Sequence, residues 1–358
     1  MKKHPRRRRA RTIVLWAILT FAGSQAALEL AIEFCWPGLR DEFCHQKLVQ
    51  LQQRFAAAPP DAAKVVMLGT SAAYCDLQSE RLERQLKQRW GREVAVYNFG
   101  IPGSSALMEL VALKRLLAAG VRPDYVLIEV LSPFLSGCPP LDPVRFSPPR
   151  FSLAELPLVR RYTAHYSRVR WSDGRLAPCY AHRWEILRRV APSFAVDDAW
   201  TQGIGPFDSA GAGRLPDAVR CEARFQQGLE MTERSYGVYR KGFRRDAPFC
   251  LILDETLELC RSEGICASLV LMPEASAVRD WYDGAIQREM LAFLDELGRR
   301  HEATVVDAHG WIDDGGFLDG IHLVESGADQ FTNDLASQAF ASPSVRTEMV
   351  RAPGTTLR

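Results

Sequence analysis

Short apolar runs alternate with longer amphipathic segments along much of the chain. The runs have the length of strands and contain few polar residues, as do strands that are buried on both faces of a sheet. The predicted strands are Val65–Leu68, Val94–Phe99, Tyr125–Val130, Ala267–Met272 and Thr304–Val306. Alternation of such strands with helical segments indicates a parallel sheet. The pattern therefore predicts a three-layer α/β/α fold with five parallel strands.

The segments between these strands carry apolar residues at helical spacing. After the first strand the apolar stripe is Leu82, Leu86 and Trp90, and both Asp76 and Ser79 are suited to cap the helix that carries it. Further helices are predicted at about residues 105–119, 251–263 and 276–300, and from about residue 326 onward.

The N-terminus has a different pattern. Seven basic residues lie within residues 1–11, and an apolar run follows from Ile13 to Gly23 and continues to Leu28. Basic residues before an apolar helix are retained in the cytoplasm, so the rest of the chain is predicted to be exported. Residues 1–36 are interpreted as an uncleaved membrane anchor, although Ser24-Gln25-Ala26 leaves a cleavable signal peptide open. The predicted location is the bacterial inner membrane, crossed once, with a periplasmic catalytic domain.

The remaining chain divides by composition. Residues 37–60 are interpreted as a polar stalk, residues 61–345 as the α/β domain and residues 346–358 as a flexible tail. Residues 135–249 interrupt the alternation with turn-rich, arginine-rich and aromatic stretches, which predicts an insertion that packs beside the active site or near the membrane. Two roles remain open for this insertion: it lines a substrate groove, or it is a structural cap with solvated arginines.

Composition and charge narrow the class of protein. The chain is 47% hydrophobic and 25% charged, as in globular proteins, which argues against wholesale disorder. Without the seven basic residues near the N-terminus, 38 basic residues face 43 acidic ones, so no nucleic-acid partner is predicted. The nine cysteines form no CxxC or Cys/His cluster, and no phosphate-binding glycine loop occurs. Neither a metal nor a cofactor is therefore expected.

The first candidate for chemistry is Ser71, which follows Gly69 and Thr70 at the end of the first predicted strand. Open α/β sheets bind ligands at this end of their strands, and the N-terminus of a following helix favours negative charge. A capping serine in an ordinary strand-to-helix turn would have the same sequence.

Asp319 and His322 are the second candidate, three residues apart near the end of the chain. A serine nucleophile needs a base to accept its proton, and the base needs a carboxylate to fix its tautomer. Ser71, His322 and Asp319 would together supply a Ser-His-Asp triad.

These stretches, taken in order, resemble the SGNH (GDSL-like) hydrolase superfamily. Gly69-Thr70-Ser71 matches the nucleophile block, with threonine in place of aspartate, and Asp319 to His322 matches the Asp-x-x-His block. Gly103 matches the glycine that the family uses in its oxyanion hole. The resemblance covers about residues 62–134 and 250–340. It implies a flavodoxin-like sheet and acyl transfer through a serine nucleophile.

The resemblance fails at one block. The family has Gly-x-Asn-Asp after its third strand, where this chain has Glu129 to Phe134, so the oxyanion asparagine is absent. The resemblance implies an oxyanion hole built from Ser71 and Gly103, with Ser132 as a substitute donor. The alternative is that Ser132 only begins a turn before Pro133 and that the other two donors suffice.

Together with the N-terminal anchor, the missing asparagine resembles the membrane-anchored members of the superfamily. These include D-alanine-transfer proteins of teichoic acid and polysaccharide O-acetyltransferases. The expected function is that of an extracytoplasmic serine esterase or O-acyltransferase on acyl esters of an envelope glycan or similar polymer. A plain esterase on small or lipid esters, and an inactive scaffold that binds other envelope assembly proteins, are the alternatives.

Overall fold

The computed structural model describes residues 5–135, 148–163, 174–194, 206–237 and 242–340. The chain divides into two compact units. The small unit comprises Met1–Gln46 and Phe146–Asp197, and the sheet unit comprises Lys47–Arg145 and Asp198–Arg358. The predicted insertion thus contributes residues to both units. The predicted tail and parts of the insertion lie outside the described residues.

The sheet unit is built on five strands: β1 (Ala63–Gly69), β2 (Val94–Gly100), β3 (Tyr125–Val130), β4 (Cys266–Leu271) and β5 (Thr304–Asp307). Their spatial order is β2-β1-β3-β4-β5, and every neighbouring pair is parallel. This result confirms the predicted fold class. The strand order reverses between β1 and β3, which is where doubly wound sheets bind their ligands.

Helices cover both faces of the sheet. They are α4 (Ser71–Asp76), α5 (Ser79–Trp90), α6 (Ala106–Ala118), α7 (Ser132–Leu135), α11 (Glu222–Tyr236), α12 (Pro248–Ser262), α13 (Ser276–Arg279), α14 (Gly284–His301) and α15 (Glu325–Gln338). On one face α5 packs against α15, and the shared core includes Leu82, Leu86 and Phe331. On the other face α6, α12 and α14 pack together and against the sheet. The strands β1 and β3 are therefore buried on both faces.

At two places the observed helix boundaries differ from the predicted ones. A short helix, α4, begins at Ser71 itself and ends at Asp76, so Asp76 does not cap α5. The predicted helix 276–300 is split into α13 and α14, because the Asp283 side chain accepts hydrogen bonds from the N–H groups of Ala285 and Ile286 and starts a new helix there.

The small unit contains α1 (Pro5–Phe34), α2 (Pro37–Arg40), α8 (Leu156–Tyr162), α9 (Pro178–Ala181) and α10 (Arg183–Val190). Residues Arg9–Phe34 of α1 are long and apolar enough to cross a membrane, and the most apolar window has no buried residue. The next helix, α3 (Glu42–Ala57), contains the boundary between the units. Lys47, Leu51 and Phe55 are buried, although they belong to the stretch predicted as a stalk.

Candidate active site

Ser71 is the first residue of α4, directly after β1. Thr70 is the N-cap residue, and its hydroxyl accepts a hydrogen bond from the N–H of Ala72 at 3.3 Å. Gly69 permits this sharp turn, because a Cβ atom there would lie 2.4 Å from the Ala73 Cβ and 2.5 Å from Glu129 Oε2. The serine side chain is partly exposed at the carboxyl edge of the sheet.

The structure brings Ser71, His322 and Asp319 together. Ser71 Oγ lies 2.8 Å from His322 Nε2, and His322 Nδ1 lies 2.8 Å from Asp319 Oδ2. Asp319 Oδ1 also accepts hydrogen bonds from the N–H groups of Ile321 and His322, both at 2.8 Å. These bonds fix the position of the carboxylate beside the imidazole. The three side chains form a continuous hydrogen-bonded relay from hydroxyl to carboxylate.

Charge in this region favours a protonated His322. Burial lowers the pKa of His322, but the carboxylate of Asp319 and then those of Asp76 and Glu129 outweigh burial and raise this pKa to about 9. The pKa of Asp319 is lowered despite burial, since His322 and two backbone N–H groups stabilise its charged form. The dyad therefore stabilises an imidazolium strongly, as a base that takes a proton from serine requires.

The backbone N–H groups of Ser71 and Gly103 are the candidates for an oxyanion hole. The loop after β2 is held at the end of β1, because the Ile101 N–H donates to the Gly69 carbonyl at 2.9 Å and the Ser104 hydroxyl donates to it at 3.2 Å. Gly103 has φ +71°, a conformation that favours glycine. Within the described ranges, the N–H groups of Ser71 and Gly103 donate to no other protein group. Both are thus free to bind an oxyanion.

Ser132 is engaged elsewhere. It begins α7 and is buried, and its N–H donates to Glu274 Oε1 at 3.2 Å. Burial raises the pKa of Glu274 to about 7, and the hydrogen bonds from Ser132 act in the opposite direction. The proposed role of Ser132 as an oxyanion donor stays a prediction, and the N–H is already in use.

Glu129 is a site residue whose role sequence reasoning missed. This buried β3 residue accepts hydrogen bonds through Oε2 from the N–H groups of Thr70 at 2.9 Å and Ala73 at 2.7 Å, and through Oε1 from the Thr70 hydroxyl at 2.6 Å. It therefore fixes both sides of the turn that carries Ser71. Burial raises the pKa of Glu129, against these hydrogen bonds. A single acidic residue within an otherwise apolar strand was the available signal.

Asn98 and Asp76 complete the support of α4. The buried Asn98 amide donates to the carbonyls of Ala73 at 2.6 Å and Leu77 at 3.0 Å, and so satisfies the C-terminal end of this short helix. Asp76 is fully buried, and its Oδ1 accepts the N–H of Leu323 at 2.9 Å. Burial raises the pKa of Asp76 well above its usual range. This bond connects the end of α4 to the residue after His322.

Part of the predicted insertion supports the Asp319 loop. Helix α11 lies against this loop at Gly228, where a Cβ atom would be 2.5 Å from the Asp319 Cβ. One turn later the Thr232 hydroxyl accepts the N–H of Gly320 at 3.3 Å. A glycine and a threonine one turn apart on a helix carry no recognisable signal in a single sequence. Only the tertiary fold assigns them to the site.

A second Asp–His pair lies at the end of β5. His309 Nδ1 is hydrogen-bonded to Asp307 Oδ1, and this bond raises the pKa of His309. His309 is therefore paired with Asp307, and it is His322 that contacts Ser71. Within the described residues, no group of three or more His, Cys, Asp or Glu side chains could hold a metal ion.

Comparison with known proteins finds similarity only among solved structures. No family model and no curated protein matches the chain. A provisionally assigned acylhydrolase from Bacteroides fragilis is 12% identical, with a TM-score of 0.37 over 84% of this chain and 95% of that one.

Two further structures match in a similar way. A lipase/acylhydrolase from Enterococcus faecalis is 14% identical, with a TM-score of 0.32 over 77% of this chain and 96% of that one. A provisionally assigned lipolytic protein of the G-D-S-L family from Desulfitobacterium hafniense is 13% identical, with a TM-score of 0.31 over 76% of this chain and 98% of that one. The sequence identities and TM-scores are low, and the function is therefore inferred from the geometry of the site.

Proposed function

We propose that this protein is an SGNH-type serine esterase or O-acyltransferase in which Ser71 is the nucleophile, His322 the base and Asp319 its orienting carboxylate. The observation that carries the proposal is the relay from Ser71 Oγ through His322 to Asp319, with both links at 2.8 Å. Such a relay at the N-terminus of a helix is the arrangement that serine acyl transfer requires.

The proposed reaction begins with attack of Ser71 Oγ on an ester carbonyl. His322 Nε2 takes the serine proton, and Asp319 stabilises the resulting imidazolium. The N–H groups of Ser71 and Gly103 donate to the oxyanion of the tetrahedral intermediate, where each donor is worth roughly 2.7–4 kcal/mol. The imidazolium then protonates the leaving alcohol, which departs and leaves an acyl-serine. Water or a sugar hydroxyl, deprotonated by His322, releases the acyl group.

The proposed substrate is an acyl ester of an envelope glycan or similar polymer, and the proposed site of action is the outer side of the bacterial inner membrane. The apolar stretch within Arg9–Phe34 and the basic residues before it support a single membrane crossing with the sheet unit exported. An exported, membrane-anchored esterase would meet envelope polymers as its substrates. D-Alanine transfer and O-acetyl transfer are the two reactions of this kind that the sequence resemblance suggests.

Labelling with a fluorophosphonate probe tests the nucleophile. Wild-type protein should be labelled, and Ser71→Ala should abolish labelling. Ser79→Ala is the matched control, since Ser79 begins the next helix, α5, and its buried hydroxyl has no hydrogen-bond partner in the described chain. If the folded wild-type protein is never labelled, the inactive-scaffold alternative is supported instead.

Topology is tested with reporter fusions after residue 60. A reporter that is active only outside the cytoplasm should give signal, because the basic N-terminus should stay inside. Signal solely from a cytoplasm-specific reporter would reject the proposed location without affecting the proposed chemistry.

A further inference from the structure

Residues 174–194 of the small unit, here called the inserted segment, expose an unusual number of large apolar side chains. Leu176, Val190 and Phe194 are 73%, 79% and 75% exposed, and Tyr180 and Trp184 are also exposed. Scattered exposed apolar residues are common on soluble proteins. A concentration of them within about twenty residues indicates a surface that contacts something else.

Helix α10, within this segment, also carries apolar side chains that are not buried. Amphipathic surface helices normally bury their apolar stripe. None of the residues of α10 is buried, although the helix contains Trp184, Ile186, Leu187 and Val190. Trp184 and Val190 are exposed, and Ile186 and Leu187 are only partly buried.

Most charges beside these apolar side chains are positive, with Glu185 the acidic exception in α10. Arg183 and Arg189 are exposed, and the Arg183 guanidinium lies 4.1 Å from the Tyr180 ring centre and 5.4 Å from that of Trp184. Arginine combined with tyrosine, tryptophan and exposed aliphatic side chains is typical of segments that lie at a membrane surface. The same composition is unfavourable for an ordinary solvated surface, because the aromatic and aliphatic groups remain in water.

The inserted segment is attached directly to α1. The Cys179 N–H donates to the Gln25 Oε1 at 3.2 Å, and Arg175 Nη1 lies 2.7 Å from Glu29 Oε1. The inserted segment thus packs along α1 between Gln25 and Glu29. Its level relative to a membrane is set by where α1 leaves the bilayer.

Helix length determines that level. From Arg9, where the candidate span begins, to Gln25 an α-helix rises only about 24 Å, which is too short for the hydrocarbon core of about 30 Å. If α1 crosses the membrane, the bilayer must extend beyond Gln25 toward Glu29. Cys179, and with it the neighbouring aromatic residues, would then lie within the bilayer boundary.

We propose that the inserted segment lies in the interface of the membrane that α1 crosses, with its apolar side chains at the acyl boundary and its arginines on anionic phospholipid headgroups. This inference rests on the proposed membrane crossing of α1. It assigns a lipid-binding function to a part of the insertion that the sequence placed either beside the active site or near the membrane.

Photocross-linking in full-length protein tests the surface. A benzophenone-bearing amino acid replaces Leu176 or Phe194, and the protein is reconstituted into vesicles of phosphatidylethanolamine and phosphatidylglycerol. The matched controls are Met231 and Leu251, which are exposed apolar residues of the sheet unit. Trp16, in the apolar part of α1, serves as the probe of membrane insertion. Lipid adducts are quantified by mass spectrometry.

We expect adducts at positions 16, 176 and 194 with a yield several-fold above that at positions 231 and 251, and a preference for phosphatidylglycerol at positions 176 and 194. Adducts at position 16 alone would overturn this inference and leave the membrane anchor intact. Absence of adducts at positions 16, 176 and 194 would overturn both. Cross-links between two copies of the chain at positions 176 and 194, without lipid adducts, would show that the surface is a dimer interface instead.

Discussion

The two units bury acidic side chains in opposite ways. In the small unit, Glu29 and Glu33 of α1 are surrounded by cations: Arg40 lies 2.7 Å from Glu33 and 3.4 Å from Glu29, and Arg175 lies 2.7 Å from Glu29. Arg40 also donates to the carbonyls of Pro149 and Phe151, at 3.0 and 3.2 Å. This network joins three stretches of chain that are distant in sequence.

In the sheet unit, Asp76, Glu109 and Glu129 are buried without any ion pair among the described residues. Glu129 and Asp76 are held instead by backbone N–H groups and a hydroxyl. Burial raises the pKa of all three. Arginine pairs join separate stretches of the small unit, whereas in the sheet unit the charged forms of Asp76 and Glu129 act on His322 and raise its pKa.

The strongest test of this contrast is Asp319→Asn. Asp319 is the one site carboxylate that contacts the histidine, and an amide in its place would stabilise the wrong imidazole tautomer. We expect kcat for an activated acetate ester to fall by about 10²–10⁴-fold with little change in the thermal midpoint. Asp307→Asn, at the end of β5, is the control and should retain activity. Equal losses in both variants would remove the special role of Asp319.

The next largest effect is expected in the small unit, from Arg40→Met. This substitution leaves two partly buried carboxylates with one arginine and should destabilise the small unit by about 3 kcal/mol. Limited proteolysis within residues 148–194 should accelerate, while the kcat of the sheet unit should persist.

Arg261→Met provides the comparison, because Arg261 pairs with Glu258 on an exposed helix surface. Loss of such a pair should cost less than about 1 kcal/mol. If Arg40→Met were as mild as Arg261→Met, the network would contribute little to stability.

The field on His322 predicts a pH dependence. The base must be neutral, and the pKa of His322 is raised to about 9, so kcat/KM should rise from pH 7 to about pH 9, by up to ~10²-fold. Stability should change in the opposite direction. The stabilising imidazolium is fully present below the unfolded pKa and is lost as the pH rises through the folded pKa. A rate plateau already at pH 7 would contradict the raised pKa.

Glu129→Gln distinguishes the effect of the Glu129 charge on His322 from its structural role in holding the turn of Ser71. The amide keeps the shape of the side chain and most of its hydrogen bonds but removes its charge. We expect the apparent pKa of the rate profile to decrease, since Glu129 is one of the carboxylates that raise the pKa of His322. A purely structural role would lower kcat at every pH and leave the apparent pKa unchanged.

The smallest effect is expected for Ser132→Ala. The Ser132 hydroxyl is hydrogen-bonded to Glu274, as is its N–H, so the variant should change the turnover of an activated acetate ester by less than about threefold. Gly103→Ala is the comparison and should be clearly impaired, because φ +71° is unfavourable for alanine. A loss of ~10²-fold in Ser132→Ala would show instead that its hydroxyl is an oxyanion donor.

The sequence by itself determined the sheet and the candidates for the catalytic residues. All five strands were predicted within two residues of their observed ends, because a strand buried on both faces requires a continuous apolar run. Ser71, Asp319 and His322 were selected as candidates because a short turn and a three-residue spacing are local features. The apolar stretch of α1 is equally local, since it depends only on consecutive side chains.

The tertiary structure alone decided which distant groups support those residues. Glu129, Asn98 and Thr232 contact the turn and loop of the site from β3, β2 and α11, and no local pattern relates them to Ser71 or Asp319. Likewise, only the packing of Cys179 against Gln25 connects the inserted segment with α1. The periodicity of apolar residues predicts which face of a helix or strand is buried. It does not predict which residues pack against that face, because those contacts are made by residues far apart in the chain.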